Sequence, residues 1–214
     1  MLGLWSIGLV VPALRIYVIS PWLNVAVPDR TLRELVQLPL VSIPYLVVPL
    51  FVVLRLNRWT AGDLGLTRRV TSRSVAAVAV IFGFVVGMIP VLTGQAVVGV
   101  ERLPYGALVL LLYNNDFLEE FFHRGVIQGN LERALGQQPA IWLGGVLFGA
   151  THIVFDITRL LETGVAFVCL AAVMQTMAGW ILGIIYMKTR SLWPGVASHY
   201  LGNWLPSMIL ALRG

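Results

Sequence analysis

The sequence predicts an all-α membrane protein, a polytopic bundle of about seven transmembrane helices. Three observations carry that expectation. Hydrophobic residues make up 58% of the 214 and charged residues 12%, where a soluble domain carries about 25% charged residues. The mean hydropathy is correspondingly high, +0.84. Apolar runs near the bilayer-crossing length of about 20 residues recur at 2–20, 35–54, 75–100, 105–129, 139–156, 163–187 and 194–212.

The first run starts without a basic leader or a small-residue cleavage pattern and contains Arg15, so it reads as a retained anchor. Pro39, Pro44 and Pro49 punctuate the second run and Pro90 the third. Kinks are expected there, with the freed carbonyls satisfied by neighbouring helices. The pairs Gly83 and Gly87, Gly125 and Gly129, Gly145 and Gly149, and Gly179 and Gly183 have small-xxx-small spacing and predict close backbone approach. Cys169 is the single cysteine. It excludes an intrachain disulfide and reads as a buried, inert thiol. Trp22, Trp59 and Trp193 fall at span ends as interfacial anchors, whereas Trp204, beside Asn203, is the tryptophan placed to line a cavity. No repeat or low-complexity tract interrupts the chain, and its longest polar interval, 55–74, is too short for a domain. Residues 1–214 are therefore expected to form a single membrane-embedded domain.

The net charge of +5 does not mark a nucleic-acid binder, because the basic residues gather between apolar runs instead of forming a face. Arg55, Arg58, Arg68, Arg69, Arg73, Arg133, Lys188 and Arg190 fall in intervals on one side. They assign that side to the cytoplasm, with the N-terminus inside and the C-terminus outside. In the opposite intervals Asp29, Glu34, Glu101, Asp156 and Glu162 dilute Arg30, Arg33, Arg102, Arg159 and Arg213.

Ionisable groups inside spans are costly and read by default as functional. All three histidines, His123, His152 and His199, lie inside apolar runs. The fourth run contains Asn114, Asn115, Asp116, Phe117, Leu118, Glu119, Glu120, Phe121, Phe122, His123 and Arg124. At helical spacing Asp116, Glu119, Glu120, His123 and Arg124 share one face, which must look into the bundle. Glu120 and Arg124 stand four residues apart in the favourable acid-first order for an ion pair. That pairing lets both carboxylates ionise and leaves Glu119 as a base. Snorkelling of Arg124 to the cytoplasm is the competing reading. In the fifth run Phe148, His152 and Asp156 form a stripe, and in the last His199 and Asn203 share a face. The three groups converge in one half of the bilayer, facing a cytoplasmic cavity. His123 is expected to be a structural hydrogen-bonding residue, and Asp116 and Asp156 to orient neighbours.

A carboxylate, two imidazoles and an amide suit acyl-bond hydrolysis. The carboxylate removes a proton from water, an imidazole orients it, and N–H groups receive the developing oxyanion. No HExxH zinc pattern is present. Ser198 precedes His199 but points in a different direction on a helix, and no GxSxG nucleophile elbow is present, which disfavours a serine hydrolase.

At these residues the sequence resembles the CPBP family of intramembrane proteases, which includes CAAX prenyl endopeptidases and bacteriocin-processing or immunity (Abi) proteins. EExxxR appears as Glu119, Glu120 and Arg124, FxxxH as Phe148 and His152, and HxxxN as His199 and Asn203. The resemblance covers roughly 60–205, including the Asp63, Leu64, Gly65, Leu66 stretch. It implies Glu119 and His152 as the water-activating pair, His199 and Asn203 as the oxyanion site, and Glu120 and Arg124 as support. It also implies cleavage of a peptide or membrane-protein substrate near the cytoplasmic surface, in a short chain that looks like a prokaryotic cell-membrane member. The family has been argued both as metal-free glutamate proteases and as metalloproteases. The metal-free reading, with no cofactor, is preferred, while Glu119, His152 and His199 are the donors a zinc ion would take. The alternative functions are a non-catalytic scaffold or bacteriocin-immunity protein binding a peptide or partner through the same cavity, and a proton-coupled transporter. Against the transporter, no repeated halves are found.

Overall fold

The structure is a computed structural model, and it describes residues 2–93 and 116–211. Among them the chain is helical, with no strand. Helix α1 (Leu2–Leu14) runs through a π-helical segment, Arg15–Ile19, into α2 (Ser20–Ala26). Arg15 therefore does not end the first helix. Asp29 caps α3 (Arg30–Phe51), its carboxylate accepting from Leu32 N–H at 2.7 Å, which satisfies one of the donors a helix start leaves unpaired. Helix α3 passes into a second π segment, Val52–Leu56, and α4 spans Arg73–Thr93. Residues 116–120 are helical and enter a third π segment, Phe121–Gln128, which continues as α5 (Gly129–Leu135). Gly136, at φ 86°, makes the turn into α6 (Gln137–Asp156). A 3₁₀ turn, Ile157–Arg159, and the short α7 (Leu160–Thr163) lead to α8 (Val165–Thr189) and α9 (Trp193–Ala211).

Four helical stretches among the described residues are long and apolar enough to cross a membrane: Gly3–Ala26, Arg73–Thr93, Gln137–Asp156 and Val165–Thr189. The expected second span is a shorter apolar stretch, Ile43–Leu56, because α3 begins with Arg30, Arg33, Glu34 and Gln37. The last expected span is polar where it carries Ser198, His199 and Asn203. The first part of the expected fourth run, 105–115 with Asn114 and Asn115, lies outside the described residues, as does the end of the third. Large apolar side chains such as Val18, Trp22, Ile81, Phe84, Leu170 and Met174 point outward and are exposed, as lipid-facing positions are.

Glycines set the two main helix pairings. A side chain at Gly83 would strike the Ser198 backbone and one at Gly87 the Leu201 carbonyl, which joins α4 to α9. Gly145, Gly149 and Gly179 bring α6 and α8 together, a Cβ on Gly179 falling 2.8 Å from Gly145 Cα. Such contact exists only without a Cβ.

The segment between α3 and α4 folds back on the bundle. Leu64 is wholly buried, and Gly65, at φ 71°, turns its carbonyl to accept from Leu192 N–H at 2.9 Å. Ser191 donates to Thr67 O at 2.8 Å, and Thr71 N–H to Thr189 O at 2.9 Å. Arg133 bonds Asp63 at 2.6 Å, and Arg190 grips Glu132 through two bonds of 2.9 and 2.8 Å. The intervals holding the clustered basic residues thus meet at one end of the bundle. Thr60 holds the Asp63 carboxyl below the usual carboxylate range through its hydroxyl and backbone N–H, with Arg133 adding to the effect.

Two expectations are corrected here. Cys169 is exposed, not buried, because it lies on the outer surface of α8. Trp59 is only 7% exposed, because the folded-back segment inserts it beneath Arg133, whose guanidinium lies 3.9 Å from its ring centroid.

Candidate active site

The π segment Phe121–Gln128 is buried at all eight positions, so this stretch lies enclosed on every side. Its phenylalanine face packs inward as well as its polar face: Phe122 meets Tyr45 of α3 at a centroid distance of 4.8 Å. Arg124, 2% exposed, stays in the interior and does not snorkel. Its Nε is 3.5 Å from Glu120 Oε2, and its guanidinium carbon lies 4.3 Å from the centroid of the Phe148 ring, where the negative face of an aromatic attracts a cation. Phe148 joins the motifs physically, since His152 and His123 approach the same ring at 4.5 and 4.9 Å.

The catalytic candidates gather around this platform. Glu119 Oε2 is 3.9 Å from His152 Nε2 and 3.8 Å from His199 Nε2. His152 Nδ1 is 2.9 Å from the Phe148 carbonyl. A carbonyl can only accept, so Nδ1 carries hydrogen and the neutral ring turns the Nε2 lone pair toward Glu119. His199 Nδ1 is 3.3 Å from Glu120 Oε1, and its Nε2 is also 3.9 Å from Asp116 Oδ1. Asn203 donates from Nδ2 to Asp116 Oδ1 at 2.8 Å. Asp116 therefore orients the amide and faces His199, the positioning expected of it. His123 departs from expectation: its Nδ1 makes no hydrogen bond, and the ring is held by aromatic edges instead. Asp156 ends α6, and Trp204 stacks on Tyr200 at 5.0 Å instead of lining the cleft.

A cleft opens on the Glu119 and His152 side of the cluster. Its far wall is Pro12, Arg15 and Tyr45, from helices in which sequence reading found no site residue; mid-span Arg15 was the available signal. About 30 Å³ of the cleft admits water centres, room for two or three waters at about 10–15 Å³ each. Among the described residues no group of three His, Cys, Asp or Glu side chains is arranged to hold a metal ion. The 3.8 and 3.9 Å separations from Glu119 to the two imidazoles exceed the roughly 3.4 Å donor spacing of a tetrahedral ion with bonds near 2.1 Å. The arrangement does suit a water bridging carboxylate and imidazole.

Outward apolar helices thus surround an enclosed acid–imidazole cluster. Residues 101–205, just under half of the chain, match the family described as Type II CAAX prenyl endopeptidase Rce1-like, a match consistent with a CPBP-family intramembrane protease. No curated protein matches the chain, and no solved structure does.

Proposed function

We propose that this protein is an intramembrane endopeptidase that hydrolyses a peptide bond with a water activated by Glu119 and His152. The observation that carries the reading is the 3.9 Å gap between Glu119 Oε2 and His152 Nε2 beside a water-sized space. A water there donates one hydrogen to each acceptor. As its oxygen adds to the substrate carbonyl, Glu119 takes a proton, and the carbonyl electrons move onto the oxyanion. N–H groups of His199 and Asn203 receive that charge. Glu119 then returns its proton to the amide nitrogen as the C–N bond breaks, restoring the carboxylate. Glu120 positions His199, Arg124 offsets the Glu120 charge, and Asp116 orients Asn203. Glu119, Glu120, Arg124, His152, His199 and Asn203 thus each have a task in a glutamate-type reaction that runs without a metal.

The remaining parts of the reading are topological. Residues 1–214 act as one membrane domain of about seven spans. The end where Arg133, Arg190 and the 58–73 segment meet faces the cytoplasm by the distribution of basic residues, which puts the N-terminus inside.

Profiling of peptide termini in membranes from cells making intact protein or Glu119→Gln at equal levels tests the chemistry. New termini that require Glu119 are expected. Their absence at deep coverage, with the phenotype kept by Glu119→Gln, would overturn the protease reading in favour of a binding scaffold.

A further inference from the structure

We propose that the groove lined by Arg68, Arg69 and Arg73 binds the headgroup of an anionic phospholipid at that end of the bundle. The groove is open, offers about 490 Å³ to water centres and is completed by Val70 and Ala76. That size lies within the range of about 300–1,000 Å³ typical of small-ligand sites. All three arginines are exposed, and among the described residues none of them joins an ion pair. The acids of the folded-back segment and its neighbour α5 are already taken, Asp63 by Arg133 and Glu132 by Arg190. Three uncompensated cations in one groove concentrate a field that attracts negative charge.

Hydrogen bonds hold the backbone of the groove. Arg69 N–H donates to Thr67 Oγ1 at 3.1 Å, and Thr67 O accepts from the Ser191 hydroxyl at 2.8 Å. Beyond Val70, Thr71 donates its N–H to Thr189 O at 2.9 Å and its hydroxyl to Lys188 O at 2.7 Å. The stretch carrying Arg68 and Arg69 is thus tied on both sides to the turn between α8 and α9. Arg73 is fixed as the first residue of α4. The guanidinium groups sit on flexible stems over this held backbone, so they close on a phosphate without any change in the fold.

Position selects a lipid over a soluble anion. Arg73 stands at the end of Arg73–Thr93, a stretch long and apolar enough to cross a membrane. Ala77, Val80 and Phe84 follow it at i+4, i+7 and i+11, on one helix face, and all three are exposed. An acyl chain laid along that face brings its headgroup to the groove. A phosphate of net negative charge pairs with arginine forks through parallel N–H···O bonds, whereas a zwitterionic headgroup adds an ammonium that the same cations repel. Basic pockets beside spans recognise anionic headgroups in this way. Membrane orientation needs only an excess of basic residues on one side, and Arg55 and Arg58 supply that without lining the groove. The three groove arginines also lie outside the matched segment 101–205, so the family match assigns them no role.

The test titrates full-length protein in neutral detergent with palmitoyl-oleoyl phosphatidylglycerol or phosphatidylcholine and counts bound lipids by native mass spectrometry. It needs no turnover, so it stands apart from the hydrolytic reading. The first phosphatidylglycerol is expected to bind about 10-fold or more tightly than phosphatidylcholine. Arg68→Gln with Arg73→Gln should weaken that event about 10- to 30-fold, at roughly 5-fold for each arginine near a lipid surface. Arg55→Gln with Arg58→Gln removes the same charge outside the groove and should leave the event nearly unchanged. Arg68→Lys with Arg73→Lys should keep most of the preference, which excludes misfolding as the cause of the loss. Equal losses in the two Gln pairs would mean diffuse surface attraction and overturn the site, as would equal binding of the two lipids. Glycerophosphate, the same headgroup chemistry without chains, should fail to displace the lipid at equal concentration. Displacement would assign the groove to a soluble phosphate ester and overturn the lipid.

Discussion

The guanidinium of Arg124 lies 4.3 Å from the centroid of the Phe148 ring. This contact joins the central helical segment to α6 at the point where Glu120 and His152 also arrive. Phe148→Ala removes both the ring and the platform. It is expected to cost about 3–5 kcal/mol, as for other buried phenylalanines. Phe148→Tyr should preserve the cation–ring contact if the hydroxyl is accommodated, and Phe148→Leu should lose it. Denaturant titration in detergent of the three variants checks the order.

Glu120 and Arg124 are 1% and 2% exposed and pair at 3.5 Å. Glu120→Gln leaves a buried guanidinium without its counter-charge, a loss of about 3–5 kcal/mol. Adding Arg124→Leu should recover part of that stability while leaving the enzyme inactive, because His199 has still lost its carboxylate partner. A double-mutant cycle with unfolding and peptide turnover as readouts separates the two effects.

His152 lines the cleft beside Glu119, so the space its removal leaves joins a cavity that already admits water. His152→Ala is expected to lower turnover by about 100-fold or more, the scale of acid–base assistance, with the unfolding midpoint nearly unchanged. Equal turnover by the variant would sink its assignment as a water-orienting base.

Gly83 touches the Ser198 backbone, one residue before His199. Gly83→Val pushes α9 away and with it His199 and Asn203. An overpacking cost of about 1–3 kcal/mol is expected, together with a loss of kcat at temperatures where the protein remains folded. Gly3→Ala, at a position with open space around it, is the control.

Asp63 supplies a pH prediction. Thr60, with Arg133, holds its folded-state pKa below the unfolded value, so the interaction contributes stability above about pH 4. That contribution is lost as pH falls through the depressed pKa. At 35% side-chain exposure the Arg133 pair alone is worth no more than about 1 kcal/mol. The midpoint difference between wild type and Asp63→Asn should be constant from about pH 5 to 7 and shrink progressively as pH falls below about 4.

By itself the sequence determined the helical class and the membrane solvent. Hydropathy and residue spacing are local quantities, and a chain this apolar must satisfy its backbone within helices. Spacing also put Glu119, Glu120 and Arg124 within reach of one another, and it placed Phe148 with His152, and His199 with Asn203, on common helix faces. Tertiary structure alone decided that these faces meet, because glycine contacts at Gly83, Gly145 and Gly179 set how closely the helices approach. It also decided that Asp116 turns Asn203, that Trp59 is buried and Cys169 exposed, and that Arg15 faces the cleft. Each of these depends on which segment packs beside which, over separations that no helical period encodes.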